Sequence, residues 1–255
     1  MGSHSSSGSV SVSDLHELWS TADDPDVLRQ ALSARYDLTT CLLPVGGRTL
    51  SLLVVRDTNK LLDAIDPAVF ARDERLPYWA EIWPSSIELA RYCLEDLALD
   101  GRSVLELGCG LGVSGIAAAM AGAQVTLSDY EEDALAFARW NVLKNLRREE
   151  QRARVRFQLL DWRAPGTPGR FDLVLGSDII YERSLAGDLL RLLDSTLRPG
   201  GVAVLTDPDR EPGREFISRA LAGGFGLDVG RTSVVSGMRQ RTITRVLLRR
   251  REESS

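Results

Sequence analysis

Val104-Leu105-Glu106-Leu107-Gly108-Cys109-Gly110-Leu111-Gly112 reads as a β-strand that runs into a glycine-rich turn and opens a helix. Glycine lets the backbone turn sharply and lets a ligand approach the main chain, while a helix N-terminus supplies free N–H groups. Three alternating glycines weaken an unliganded turn without return, so a ligand is expected here. Around this stretch the chain alternates between β-prone and helical spacing. Strands are expected at 103–107, 124–128, 155–160, 171–175 and 201–206, and helices at 112–120, 131–144, 184–197 and 213–221. Such alternation implies an α/β fold with a mainly parallel sheet covered by helices on both faces. Two further β-rich runs, 227–235 and 241–249, finish the chain as an antiparallel hairpin.

Upstream, Ser85-Ser86-Ile87-Glu88 fits a capping box that starts a helix reaching residue 97. Before it, residues 25–34 have helical spacing, 37–43 and 48–56 form a hairpin through Val45-Gly46-Gly47, and 59–72 suit short helical pieces. The expected organisation is a disordered tail or tag remnant over 1–13, an accessory segment over 14–75 and a ligand-binding domain over 76–255.

Composition removes several function classes. The 255 residues are 44% hydrophobic and 26% charged, and no apolar run reaches the roughly 18 residues of a membrane span. A net charge of −5 lacks the positive field used in non-specific nucleic-acid binding. The cluster Arg147, Arg148, Arg152, Arg154 and Arg156 is read as a solvated helix end. Cys41, Cys93 and Cys109 are odd in number and widely spaced, which argues against a disulfide framework or a zinc ribbon. The first residues lack the basic and apolar regions of a secretory signal, so the cytoplasm is the expected location. His4 and His16, the two histidines, both lie near the N-terminus, so no catalytic triad or histidine metal site is expected.

Two cofactor types compete for the turn. Gly110 to Gly115 matches G-x-G-x-x-G, which admits a dinucleotide, and Asp129 ends the next strand, where a carboxylate accepts ribose hydroxyls in any adenosine cofactor. Three features favour another ligand. Glu106 extends the turn to Glu-x-Gly-x-Gly-x-Gly. The third strand ends in Asp161-Trp162, an acid for an adenine amino group and an indole to stack on its ring. The fourth ends in Ser177-Asp178-Ile179-Ile180-Tyr181.

The Glu-x-Gly-x-Gly-x-Gly stretch resembles motif I of class I, seven-β-strand methyltransferases that use S-adenosylmethionine. Asp178-Ile179-Ile180-Tyr181 matches the Asp-x-x-Tyr motif of a protein lysine methyltransferase family, and the segment Pro77 to Pro84 resembles the Trp-containing element that precedes motif I there. The chain is similar in particular to enzymes that modify the electron-transfer flavoprotein β-subunit. The resemblance implies a Rossmann-like, mainly parallel seven-stranded sheet and S-adenosylmethionine as cofactor. It implies cofactor contacts from Trp83, Gly108, Cys109, Gly110, Asp129, Trp162 and Ser177; Glu106, Gly112, Tyr130 and Asp161 complete the candidate set, with no metal. Trp83-Pro84-Ser85-Ser86 departs from the Trp-Pro-Gly-Gly of some members, a change at the mouth of the site.

Methyl transfer to nitrogen requires the nucleophile to be held in line with the methyl group and to be uncharged. An ordinary lysine, with a pKa near 10.4, resists that at neutral pH. Asp178 and Tyr181 are the candidate catalytic residues. Asp178 is read as an orienting acceptor rather than a strong base, and a helix N-cap is its structural alternative. Tyr181 offers a hydroxyl or a ring face. Asp133 and Asp172 are read as structural charges and Trp140 as core, whereas Trp79 is either cavity wall or packing. The expected partner is a protein bearing the acceptor lysine. A small amine or nitrogen heterocycle as acceptor, and a binding module without turnover, stay open, as does the oligomeric state.

Overall fold

A computed structural model describes residues 15–63, 76–236 and 239–250. The expected tail, most of the expected helical pieces over 59–72 and the tip of the last hairpin lie outside them. In chain order the elements are α1 (Leu15–Thr21), α2 (Pro25–Ser33), β1 (Leu38–Val45), β2 (Arg48–Val55), α3 (Asn59–Asp63), a 3-10 turn (Tyr78–Ala80), α4 (Pro84–Glu95), β3 (Ser103–Leu107), α5 (Val113–Met120) and β4 (Gln124–Asp129). They continue with α6 (Glu132–Asn145), α7 (Glu149–Arg152), β5 (Val155–Leu159), β6 (Phe171–Ser177), a 3-10 turn (Arg183–Leu185), α8 (Ala186–Thr196), β7 (Leu197–Asp207), α9 (Glu211–Ala222), β8 (Phe225–Ser236) and β9 (Arg239–Arg250).

Seven strands form one sheet in the order β5-β4-β3-β6-β7-β9-β8. The first five are parallel, and β9 joins β7 antiparallel and carries β8 as its hairpin partner. The expected α/β architecture is therefore present. Side-chain alternation along each strand builds two cores, as the period of two demands. Val104, Leu173, Leu175, Val204 and Leu247 face the side where the α4–α6 core residues Leu89, Ile116 and Phe137 lie. Leu105, Val174, Ala203, Leu205 and Val246 face the other, with Leu189, Leu193 and Phe216 of α8 and α9. Each fully buried leucine contributes about 1.5–3 kcal/mol, so a one-residue register slip in β3 would lose several such terms.

The β1–β2 hairpin pairs as expected. It packs on α6, where the buried Asn141 Oδ1 accepts the Leu53 N–H at 2.7 Å and Asn145 Oδ1 accepts that of Ser51 at 2.8 Å. Asn141 Nδ2 also donates to Leu111 O at 2.9 Å, which ties the hairpin to the glycine turn. Trp140 is buried on α6, in agreement with its core reading.

The capping box is corrected. Helix α4 begins at Pro84 with Trp83 as its cap residue and no side-chain cap bond. Ser86 Oγ donates to Trp83 O, and Glu88 is buried, paired with Arg91 and, across the molecule, with Arg245. A proline at the first helical position pre-sets φ, so the start needs no serine cap. Helices α1 and α7 were not expected. Of the arginine cluster, Arg152 donates to Leu146 O and Arg154 to Gly122 O, so both side chains close carbonyls at helix and turn ends.

Candidate active site

The parallel strand order reverses between β3 and β6, and ligands of open α/β sheets bind at the C-terminal ends of strands flanking such a reversal. A cavity of about 250 Å³ lies there. Its floor is the glycine turn, in which Gly108, Gly110 and Gly112 have φ of 60°, 50° and 77°. A side chain on Gly108 would meet Ile179 at 3.0 Å and Trp162 at 3.5 Å, and one on Gly110 would meet Trp79 O at 3.1 Å. The left-handed backbone favours glycine at these two positions, and the tight space around each Cβ adds to the preference.

Of the residues singled out from sequence, Trp83, Gly108, Cys109, Gly110, Asp129, Tyr130, Trp162, Ser177, Asp178 and Tyr181 line this cavity. Glu106, Gly112 and Asp161 do not. Glu106 lies behind the turn, where Oε2 accepts the Gly115 N–H of α5 at 2.9 Å, and its complete burial pushes its pKa up to about 8. Gly112 is the cap residue of α5. Asp161 lies in an adjoining cleft that shares Tyr130, Trp162 and Tyr181, and its carboxylate is gripped by Arg163 at 2.6 Å. Its expected role as an adenine acceptor competes with that ion pair.

Asp129 Oδ2 accepts the Gly110 N–H at 2.9 Å and Oδ1 that of Glu131 at 3.1 Å. Burial raises its pKa to about 6 against the opposing pull of these N–H groups. Trp79 has both of its expected roles: it lines the cavity and packs on Phe137 and Tyr36.

Asp178 follows β6 with φ 57°, a left-handed conformation uncommon outside glycine and tolerated by aspartate. Its N–H donates to Thr206 O, and it caps no helix, since Glu182 and Leu185 occupy the cap positions downstream. The side chain is buried, and neither oxygen has an aligned hydrogen-bond donor among the described residues. Arg210 instead forms an ion pair with Oδ1 at 2.7 Å. Burial raises the Asp178 pKa, opposed by Ser85 and by Arg210. Tyr181 packs edge-to-face on Tyr78 at 5.4 Å, and Tyr78 on Trp83 at 5.9 Å, so three aromatic rings wall one side. Trp83 Nε1 donates to Tyr78 O at 2.9 Å and fixes that wall.

Sequence reasoning missed Tyr78 and Arg210. Tyr78 lies in the quoted Trp-containing element but was not singled out; Arg210 follows Asp207 by three residues at a strand-to-helix junction, the one local sign of it. Asp133 and Asp172 are away from the cavity. Asp133 pairs with Arg35, and Asp172 binds Ser103 and Arg198, which lower its pKa to about 2.

Residues 73–220, which hold the cavity and both of its candidate catalytic side chains, match the lysine methyltransferase family. The chain belongs to that family. It is 38% identical over 130 residues to mouse protein N-lysine methyltransferase METTL21A, covering 49% of this chain and 59% of the relative. It is 37% identical over 138 residues to the zebrafish electron transfer flavoprotein beta subunit lysine methyltransferase, covering 52% and 51%. This family member thus spans between half and three-fifths of the length of these relatives. Among solved structures, it is similar in fold to the Thermus thermophilus 16S rRNA N2 G1207 methyltransferase RsmC, with a TM-score of 0.58 at 17% identity over 84% of this chain and 51% of that one.

Proposed function

We propose that this chain transfers a methyl group from S-adenosylmethionine to the side-chain nitrogen of a lysine in a protein substrate. The observation that carries the reading is the convergence, in one cavity, of a glycine turn with its buried acid and of a second buried carboxylate, Asp178, whose oxygens lack aligned donors.

The residues present fit the cofactor. The turn is kept open by glycines whose Cβ positions are blocked, Asp129 offers acceptor capacity for ribose hydroxyls, and Trp162 and Tyr130 offer faces for a base. Bound there, S-adenosylmethionine supplies a methyl group activated by its sulfonium charge. What the chain itself does is orient the acceptor. Asp178 accepts a hydrogen bond from the incoming amine and aims its lone pair, and the rings of Tyr78, Trp83 and Tyr181 flank an aliphatic stem and exclude water. The Tyr181 hydroxyl, pushed by burial to about 12, stays protonated and donates.

No helix among the described residues is long and apolar enough to cross a membrane. The three free cysteines, two of them buried, suit a reducing cytoplasm. The reading is tested by transfer from methyl-labelled S-adenosylmethionine into a cytosolic extract. Label on lysine in a protein band, lost with Asp178→Ala, supports it. Label confined to small molecules overturns the protein substrate, and binding without any transfer overturns the enzyme.

A further inference from the structure

Arg210 is the one cation lining the cavity among the described residues, and its Nε and Nη2 are both engaged. Nε and Nη2 both donate to Asp207 Oδ2, at 3.0 and 2.7 Å, and the Arg210 N–H donates to Asp207 Oδ1 at 2.8 Å. The same Nη2 reaches Asp178 O at 3.3 Å and lies 2.7 Å from Asp178 Oδ1. A planar fork fixed in this way has little freedom, so the charge it presents to Asp178 is constant in position. The backbone on both sides is unusual. Asp178 and Asp209 are the non-glycine residues with left-handed φ among those described, and Arg210 follows one of them and grips the other. Such conformations cost free energy and persist where the surroundings over-determine them.

We propose that Arg210 is a positioning residue for the acceptor site: anchored on Asp207, it fixes the Asp178 carboxylate beside the cavity and offsets part of its charge, so that the acceptor amine is oriented without being locked as an ammonium. This rests on the amine-methylation reading given above.

The argument is electrostatic. A lone buried carboxylate beside an amine favours the ammonium and raises its pKa by about one to three units, each unit lowering the neutral, reactive fraction tenfold. A carboxylate beside a guanidinium exerts less of that effect, even where the guanidinium is shared with a second carboxylate as here, and still accepts a hydrogen bond. The groups that face Asp178 are few. Ser85 at the start of α4 and Arg210 favour its charge, Asp207 at the end of β7 opposes it, and burial opposes it most. Tyr181, in the segment after Asp178, stays neutral. Arg183, the next cation in that segment, is paired with Glu211 and Glu215.

The test compares wild type, Arg210→Gln and Arg210→Lys by the 13Cγ titration of Asp178, assigned with Asp178→Asn, and by the pH profile of methyl transfer. In Arg210→Gln the Asp178 titration moves up by about one to three pH units, the rising limb of kcat moves up with it by about one unit, and Arg210→Lys restores both. An unmoved titration, or a uniform loss of rate at every pH, overturns the proposal, because a merely structural arginine would give that result. If Arg210→Gln does not fold, Arg210→Met takes its place with the same upward movement of the Asp178 titration expected, and an unmoved titration again overturns the proposal. The titration needs no substrate. Absence of methyl transfer by the wild type would remove the functional reading and leave the role of Arg210 decided separately.

Discussion

Asp129 Oδ2 accepts the Gly110 N–H at 2.9 Å, so the end of β4 and the glycine turn after β3 are held as one unit. The same carboxylate has remaining lone pairs on the cavity side, and charged acceptors contribute about 1.5–3 kcal/mol each. Asp129→Asn keeps the shape and removes the charge. It weakens S-adenosylmethionine binding by about 10- to 100-fold in calorimetry. Because burial raises the Asp129 pKa to about 6, wild-type affinity falls as pH drops through that value, and the Asn variant shows no such fall. Equal affinity for the two proteins at neutral pH would contradict the assignment.

Asp178→Asn separates binding from transfer. Asparagine tolerates the left-handed φ of 57° that this position requires, so the fold is retained. The amide cannot orient an amine as a charged acceptor does, and loss of aim alone costs about 100-fold in rate. The expected result is a drop of that size in kcat with cofactor affinity nearly unchanged. A variant that still transfers at the wild-type rate would place the acceptor elsewhere.

Tyr181→Phe removes a hydroxyl and keeps the ring stacked on Tyr78. With the hydroxyl pushed to about 12 by burial, the side chain is neutral across the working range and acts as a donor, not a base. The substitution lowers kcat by about tenfold, the scale of one hydrogen bond, and leaves the shape of the pH profile as it was. A change of shape would assign Tyr181 a proton-transfer role.

The parallel core is legible from sequence because each strand is a short apolar run bounded by turn residues, and the glycine turn because three alternating glycines directly follow such a run, where the backbone takes left-handed φ. The long-range pairs are not. Glu88 sits at capping-box spacing after Ser85, yet its carboxylate meets Arg245, 157 residues away, once β9 closes the sheet. Arg210 meets Asp178 only because β6 and β7 pair with Ser177 beside Thr206, which brings the two loops together. Glu106 stands in the motif and so reads as a ligand contact, although strand alternation turns it inward, to Gly115 at the start of α5.

That inward position gives Glu106 a thermal signature. Its carboxyl pKa is raised from 4.5 to about 8 by burial, so between those values the folded chain holds a proton that the unfolded chain releases. This contribution is fully present below pH 4.5 and is lost as pH rises through about 8. Asp129, raised to about 6, adds a term of the same sign, whereas Asp172, lowered to about 2, matters only on the acid side. Glu106→Gln carries no titrating proton and keeps an oxygen for the Gly115 N–H. The wild type therefore loses Tm relative to Glu106→Gln on going from about pH 5 to about pH 8.5, measured by thermal unfolding without cofactor. A constant difference between the two proteins across that range would show that Glu106 is ionised throughout and that its partners, not its proton, hold it behind the turn.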